Sequence, residues 1–269
     1  MFDDTFYDRH ADSWWSDTDS PFRIIRYMMN PIRFAYTVKH LVQRNLDYRG
    51  MQVLDVGCGG GFLTEEISKF GLQATGLDPS APSLYTAKRH ARAMNLDVSY
   101  LEGFGEALPF EDASFDMVFC LDVLEHVRDF RVIVREVNRV LKPGGLFFFE
   151  TVNRTLLSYL VVILVLQEFP WTSLIPSGVH DWKHFIKPSE LKKSLEDTDL
   201  ALLDMQGILP GWNILYNLFL IRNKAREPIT FHNLCRLFKC HESPYKGLCY
   251  IGFAEKAGPG VATVNCERE

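Results

Sequence analysis

The chain of 269 residues has no CxxC pair, no internal repeat, no low-complexity tract and no excess of basic charge. Each absence narrows the field. Six scattered cysteines (Cys58, Cys120, Cys235, Cys240, Cys249, Cys266) do not make a disulfide framework or a zinc ribbon, so reduced thiols in a cytosolic setting are expected. Cys235, Cys240 and Cys249 with His232 and His241 match no standard zinc spacing. A net charge of −5 disfavours an electrostatic nucleic-acid binder, and no nucleic-acid partner is expected. The acidic, aromatic start "MFDDTFYDRHADSWW" does not read as a secretory signal. No apolar run reaches the roughly 20 residues of an unaided membrane span. The two greasiest stretches, "LLSYLVVILVL" (156–166) and "ILPGWNILYNLFLI" (208–221), fit two readings. They are buried helix or pocket wall, or else a surface that dips into a bilayer.

What is present is a regular alternation of strand and helix patterns. Residues 1–48 read as a helical cap, with apolar positions at helical spacing in "PIRFAYTVKHLVQRNL". "MQVLDVG", "QATGLD", "VSYLEG", "FDMVFCLD" and "LFFFETV" read as strands. Between them, "GFLTEEISKFG", "PSLYTAKRHARAMN" and "DFRVIVREVNRVLKPGG" read as helices, the first closed by Gly71 and the last by Pro-Gly-Gly. This spacing predicts an α/β fold: a Rossmann-like, doubly wound, mostly parallel sheet over 49–153, covered on both faces. Residues 154–256 read as a substrate-side, lipid-facing insertion that completes the sheet, and 257–269 as a tail. In that portion "KPSELKKSLEDTD" reads as a helix with Ser189 near its N-cap, and "GLCYIGFAEKA" as a late strand.

Two motifs carry chemistry. "VLDVGCGGGFLTEE" is a strand, a glycine-rich turn and a helix, in which Asp55 ends the strand and Gly57 and Gly59 leave the backbone open to a ligand. Asp78, 21 residues after Gly57 in "GLDPS", is placed to accept hydrogen bonds from a ribose diol. Both NAD and S-adenosylmethionine carry such a ribose. The second motif, "CLDVLEHV" (120–127), sets Asp122, Glu125 and His126 behind the fourth strand, where ligands of open α/β sheets bind. If a helix begins there, Asp122 and Glu125 share a face. Two carboxylates and an imidazole suit a divalent cation, with Mg²⁺ first and Zn²⁺ or Mn²⁺ left open by the histidine.

In order and spacing, "DVGCGGG", "GLD", "LPFEDASFDMV" and "VLKPGG" resemble the class I S-adenosylmethionine-dependent methyltransferases. "SWW" (13–15), "NPIRFAYT" (30–37), "LEHV" (124–127), "TVNRT" (151–155) and "GVHDWKHFIKPSEL" (178–191) extend the likeness, and the chain resembles the ubiquinone-biosynthesis O-methyltransferases. That resemblance implies O-methylation of a catechol-like hydroxyl on a polyprenylated quinone precursor, with S-adenosyl-L-methionine and a divalent cation. It implies cofactor contacts at Arg33, Gly57, Asp78 and Leu121. It also implies a catalytic, metal-holding set of Asp122, Glu125 and His126. His126 acting as a general base without metal is the other mechanism, and His180, Asp181 and His184 are further candidates on the acceptor side. The implied partners are a lipophilic small-molecule acceptor, a membrane surface and a quinone-biosynthesis complex. The implied location is the cytoplasm, peripheral on an inner membrane (the matrix side in a eukaryote).

The sequence departs from the family pattern in three places: Asp122 where glutamate is more usual, a more hydrophobic 156–176, and a longer 208–250. A methyltransferase for another lipophilic natural product, acting at O, N or C, therefore stays open, as does a non-catalytic subunit of the same fold.

Overall fold

The computed structural model describes residues 5–17, 20–169, 175–211 and 240–258. Eight strands form one sheet in the order β3-β2-β1-β4-β5-β8-β6-β7. They are β1 Gln52–Val56, β2 Gln73–Asp78, β3 Ser99–Glu102, β4 Phe115–Leu121, β5 Leu141–Val152, β6 Leu200–Leu209, β7 His241–Ser243 and β8 Cys249–Lys256. The first five run parallel, β8 lies antiparallel between β5 and β6, and β7 closes the edge against β6. The mostly parallel, doubly wound sheet expected from the sequence is therefore the observed one.

The helices are α1 Thr5–His10, α2 Asn30–Gln43, α3 Phe62–Lys69, α4 Ala81–Ala93, α5 Phe130–Val140, α6 Leu156–Ser158 and α7 Pro188–Glu196. A π-helical run, Tyr159–Glu168, continues α6. Local chemistry fixes several boundaries. Ser80 caps α4 by accepting from the Ser83 N–H, and Asp129 caps α5 by accepting from the Arg131 N–H. Gly71, at φ +97°, stands just past α3.

The pleat sorts the apolar side chains into two cores. Phe147 and Phe149 face α5 and α7 with Leu54, Val118, Ile133, Val137, Leu191 and Leu195. Phe148 faces the other way, with Val53, Phe119, Tyr36, Leu41 and Ile67 beneath α2 and α3. Burying each such phenylalanine contributes roughly 1.5–3 kcal/mol, so the "FFF" run anchors both layers. A third cluster, Phe6, Ala11, Trp14, Phe22 and Phe62, packs the N-terminal cap onto α3.

In three places the structure departs from the expected pattern. Pro143-Gly144-Gly145 does not end α5, which stops at Val140; it lies inside β5, at a break in the β4–β5 register. Helix α7 begins at Pro188 with Lys187 as its N-cap, so Ser189 stands in the first turn, near the cap as expected. β6 went unread, because its burial follows no clean alternation. The 156–166 run is not a buried helix: Leu156, Leu160 and Leu164 are exposed and only Ser158 and Val162 in it are buried. Trp171, most of 208–221, and Cys235 with His232 of the zinc grouping lie outside the described residues. Among the described residues, Cys58, Cys120, Cys240 and Cys249 are free thiols.

Candidate active site

The strand order reverses between β1 and β4. A crevice opens there at the carboxyl ends of the strands, the usual ligand position in open α/β sheets. In this molecule it is a cleft of about 910 Å³, lined by the turn after β1, by Asp78 ending β2, by Leu121 ending β4 and by the N-terminal cap.

Gly57 (φ +72°) and Gly59 (φ +51°) hold left-handed conformations in that turn. A methyl group at Gly57 would overlap Val123, and one at Gly59 would come within 2.5 Å of the Trp14 ring. Both positions thus need glycine for conformation and for space. The Asp78 carboxylate accepts from the Gly59 and Ser80 N–H groups, each at 2.8 Å, and so ties the glycine turn to the start of α4. Burial pushes its pKa up to about 6 against the pull of those two bonds. Asp55 lies behind the turn and accepts from Thr64 Oγ1 at 2.6 Å; burial lifts it to about 7.

Over the turn lies an aromatic roof. Trp14 stacks on Phe22 with ring centroids 3.6 Å apart and donates from Nε1 to Ser83 Oγ at 2.9 Å. Tyr7 stacks on Phe22 and meets His126 edge-on at 6.3 Å. Burial, then the charges of Asp122 and Glu125, push the Tyr7 phenol upward, so it stays protonated. Sequence reasoning missed this roof. The "SWW" element was noticed, but the contact of Trp14 with residues 59 and 60 is a tertiary fact.

The acidic motif is not on a regular helix. Asp122 takes a left-handed φ of +57°, and Leu124–His126 form one 3₁₀ turn. The two acids take different partners. Asp122 turns to Arg33, which is buried in α2 and also pairs with Glu150 of β5. Burial alone would raise the Asp122 carboxyl, but the guanidinium outweighs it and holds it below the usual range. Glu150, wholly buried, is pushed well up despite Arg33. One buried guanidinium thus serves two acids, one held low and the other pushed high. Arg33 lines the cleft, and its Nε has no hydrogen-bond partner among the described residues, a donor the cofactor could use.

Glu125 turns inward instead, accepting from Thr151 Oγ1 at 2.8 Å through one oxygen. Its other oxygen, Oε1, is buried without a partner among the described residues, and so is His180 Nδ1. Burial, then Asp122, lifts Glu125 to about 8; burial, then His180, lowers His126 to about 3. The rings of His126 and His180 lie 5.1 Å apart. One ligand atom from each of Glu125, His126 and His180 falls within a 4.8 Å circle. Buried polar atoms without partners are what a bound cation would satisfy, so these residues fit the implied metal. His180 is in that group; Asp122 is not.

A glycine-lined turn at the switch point, a buried carboxylate ending the second strand and a cleft wide enough for a nucleoside and an acceptor define a class I S-adenosylmethionine-dependent methyltransferase, and this chain is an enzyme of that class. The methyltransferase-domain family matches residues 54–149. A solved S-adenosylmethionine-dependent methyltransferase of Aquifex aeolicus shares the fold, with TM-score 0.55 and 15% identity over 91% of this chain and 98% of that one. The ubiquinone biosynthesis O-methyltransferase of Methylococcus capsulatus is 40% identical over 76% of this chain and 82% of its own length. That of Coxiella burnetii is 37% identical over 74% and 81%. The chain belongs to the ubiquinone biosynthesis O-methyltransferase family.

Proposed function

We propose that this methyltransferase O-methylates a catechol or phenol ring of a lipophilic, polyprenylated quinone precursor in ubiquinone biosynthesis. The observation that carries the reading is the meeting, in one cleft, of the glycine–Asp78 wall with a wall bearing His126, Asp181 and His184. Family membership supports the same chemistry.

Bound S-adenosylmethionine supplies an electrophilic methyl group: the acceptor oxygen bonds to the methyl carbon while the sulfur–carbon bond breaks and its electron pair stays on sulfur. Glu125 and His126 would hold a divalent cation, whose charge would favour the phenolate over a phenol of pKa near ~10. The chain's own residues position and shield. Asp78 fixes the glycine turn and offers its carboxylate to a ribose diol. Trp14, Phe22 and Tyr7 keep water off the sulfonium side, where in-line geometry supplies most of the rate. In the metal-free alternative, an imidazole nitrogen of His126, which lines the cleft, would receive the hydroxyl proton.

Leu156 (71% exposed), Leu160 (44%) and Phe169 (49%) form an apolar surface on the segment after β5. Among the described residues, no helix is long and apolar enough to cross a membrane. Such a surface suits a prenyl tail or the boundary of a bilayer, which supports peripheral attachment.

The test is a panel of prenylated and unprenylated catechols incubated with S-adenosylmethionine and read by mass spectrometry. A gain of one methyl on a prenylated catechol is expected. Methylation of no phenolic acceptor, or only of nitrogen or carbon, would overturn the reading.

A further inference from the structure

We propose that the divalent cation is held by Glu125, His126 and His180, one oxygen and two imidazole nitrogens, and that Asp122 is no ligand but the anchor of Arg33. The inference deepens the methyltransferase reading at the same site, and its metal binding can be measured without turnover.

Three independent features converge. Glu125 is 1% exposed, and its Oε1 lacks a partner among the described residues, although its Oε2 is satisfied by Thr151. A carboxyl oxygen left without a partner in the interior is costly unless another group meets it. His180 arrives from a different part of the chain, and its position is built. The Gln167 side chain accepts from the His180 N–H at 2.8 Å and donates to the His180 carbonyl at 3.3 Å. Gln167 is itself buried, in the π-helical run. The buried amide holds the backbone from both sides, the His180 ring packs edge-on against Phe185 at 5.9 Å, and its Nδ1 is buried without a partner among the described residues. Asp122, by contrast, is already committed to Arg33, and it offers no ligand atom to the Glu125–His126–His180 group.

The donor set has a chemical consequence. Mg²⁺ prefers oxygen ligands in a strict octahedron, whereas imidazole nitrogens favour Zn²⁺, Co²⁺ and Mn²⁺. A centre with two imidazoles and one carboxylate selects the latter ions. It also leaves coordination positions open toward the cleft, which His126 lines, so that acceptor oxygens can join.

The experiment is titration of the full-length, metal-stripped protein with Co²⁺, followed by its visible absorption and by calorimetry, then with Mg²⁺. S-adenosylhomocysteine binding is measured on every variant as the check of folding. One Co²⁺ per chain is expected, bound at least tenfold more tightly than Mg²⁺. His180→Ala and Glu125→Gln are expected to weaken Co²⁺ at least tenfold while keeping S-adenosylhomocysteine binding. Asp122→Asn suits the left-handed backbone and is expected to change Co²⁺ affinity by less than threefold. The proposal is overturned if His180→Ala binds Co²⁺ like the parent, if Asp122→Asn abolishes binding, if Mg²⁺ binds as tightly as Co²⁺, or if the parent binds S-adenosylhomocysteine but no metal. Failure of the parent to bind S-adenosylhomocysteine would instead strike the methyltransferase reading itself.

Discussion

Trp14 lies against Gly59 so closely that a methyl group on that glycine would come within 2.5 Å of the indole ring. The N-terminal cap and the cofactor turn are thus one packed unit, and the turn's shape depends on both. Gly59→Ala must either push Trp14 off its stack with Phe22 or flatten the turn. The left-handed φ adds a strain of roughly 1–2 kcal/mol. S-adenosylhomocysteine affinity measured by calorimetry should fall at least tenfold, with a lower melting temperature. Unchanged affinity would show that the turn is not where the cofactor sits.

Asp78 should control cofactor binding through its charge. Asp78→Ala removes an acceptor from two backbone N–H groups and from the ribose; hydrogen bonds to a charged group contribute about 1.5–3 kcal/mol, so affinity should fall ten- to a hundredfold. With its pKa lifted to about 6, the carboxylate is ionised at pH 7.5 and largely protonated at pH 5. S-adenosylhomocysteine should therefore bind more weakly as the pH drops below 6. A flat profile between pH 7.5 and 5 would count against this role.

Asp55 predicts a pH-dependent stability of definite sign. Its pKa in the folded protein, about 7, stands above the ordinary aspartate value of 3.8. Between those values the folded state holds the proton more tightly, so this group favours folding at low pH and that advantage is lost as pH rises toward 7. Asp55→Asn mimics the protonated form and can still accept from Thr64. Relative to the parent, it should be most stable at pH 8, by up to a few kcal/mol at about 1.4 kcal/mol per pKa unit, and the gap should narrow by pH 5. Urea unfolding at the two pH values measures it; a gap that widens on acidification would refute the assignment.

Arg33 is the counter-charge of a buried trio. Arg33→Met strands Asp122 and Glu150 beside each other, and removing one partner of a buried pair costs about 3–5 kcal/mol. Glu150→Gln in that background should recover part of the loss, because one acid is then gone. Equal denaturation midpoints for the single and double variants would show that the trio is not coupled.

The exposed leucines after β5 should report on attachment. The parent protein should float with anionic phospholipid vesicles, and Leu156→Ser with Leu160→Ser should reduce the floated fraction severalfold. Both side chains are exposed, so folding should be unaffected. A parent protein that stays wholly at the bottom of the gradient would exclude attachment through this face.

Much of this was legible along the chain. Strand–helix alternation, the "VGCGGG" turn and Asp78 are local patterns, because backbone conformation and periodic burial act over a few residues. The sheet and the cofactor wall follow from them, and each appears where the pattern placed it. The acidic motif was legible only as composition. Whether Asp122 and Glu125 share a face depends on the backbone between them, and a left-handed residue followed by a 3₁₀ turn cannot be read from "LDVLEHV".

By itself the sequence determined the layered α/β architecture, the glycine turn and the acid that ends the second strand, since each rests on short-range sterics and periodic burial. Only the tertiary structure decided which side chains meet. It set Trp14 on the glycine turn, gave Asp122 to Arg33 and Glu150, and brought His180 beside Glu125 and His126. Those meetings join segments far apart in the chain, and they are fixed by packing and by the need to satisfy buried charge, neither of which leaves a periodic mark in the sequence.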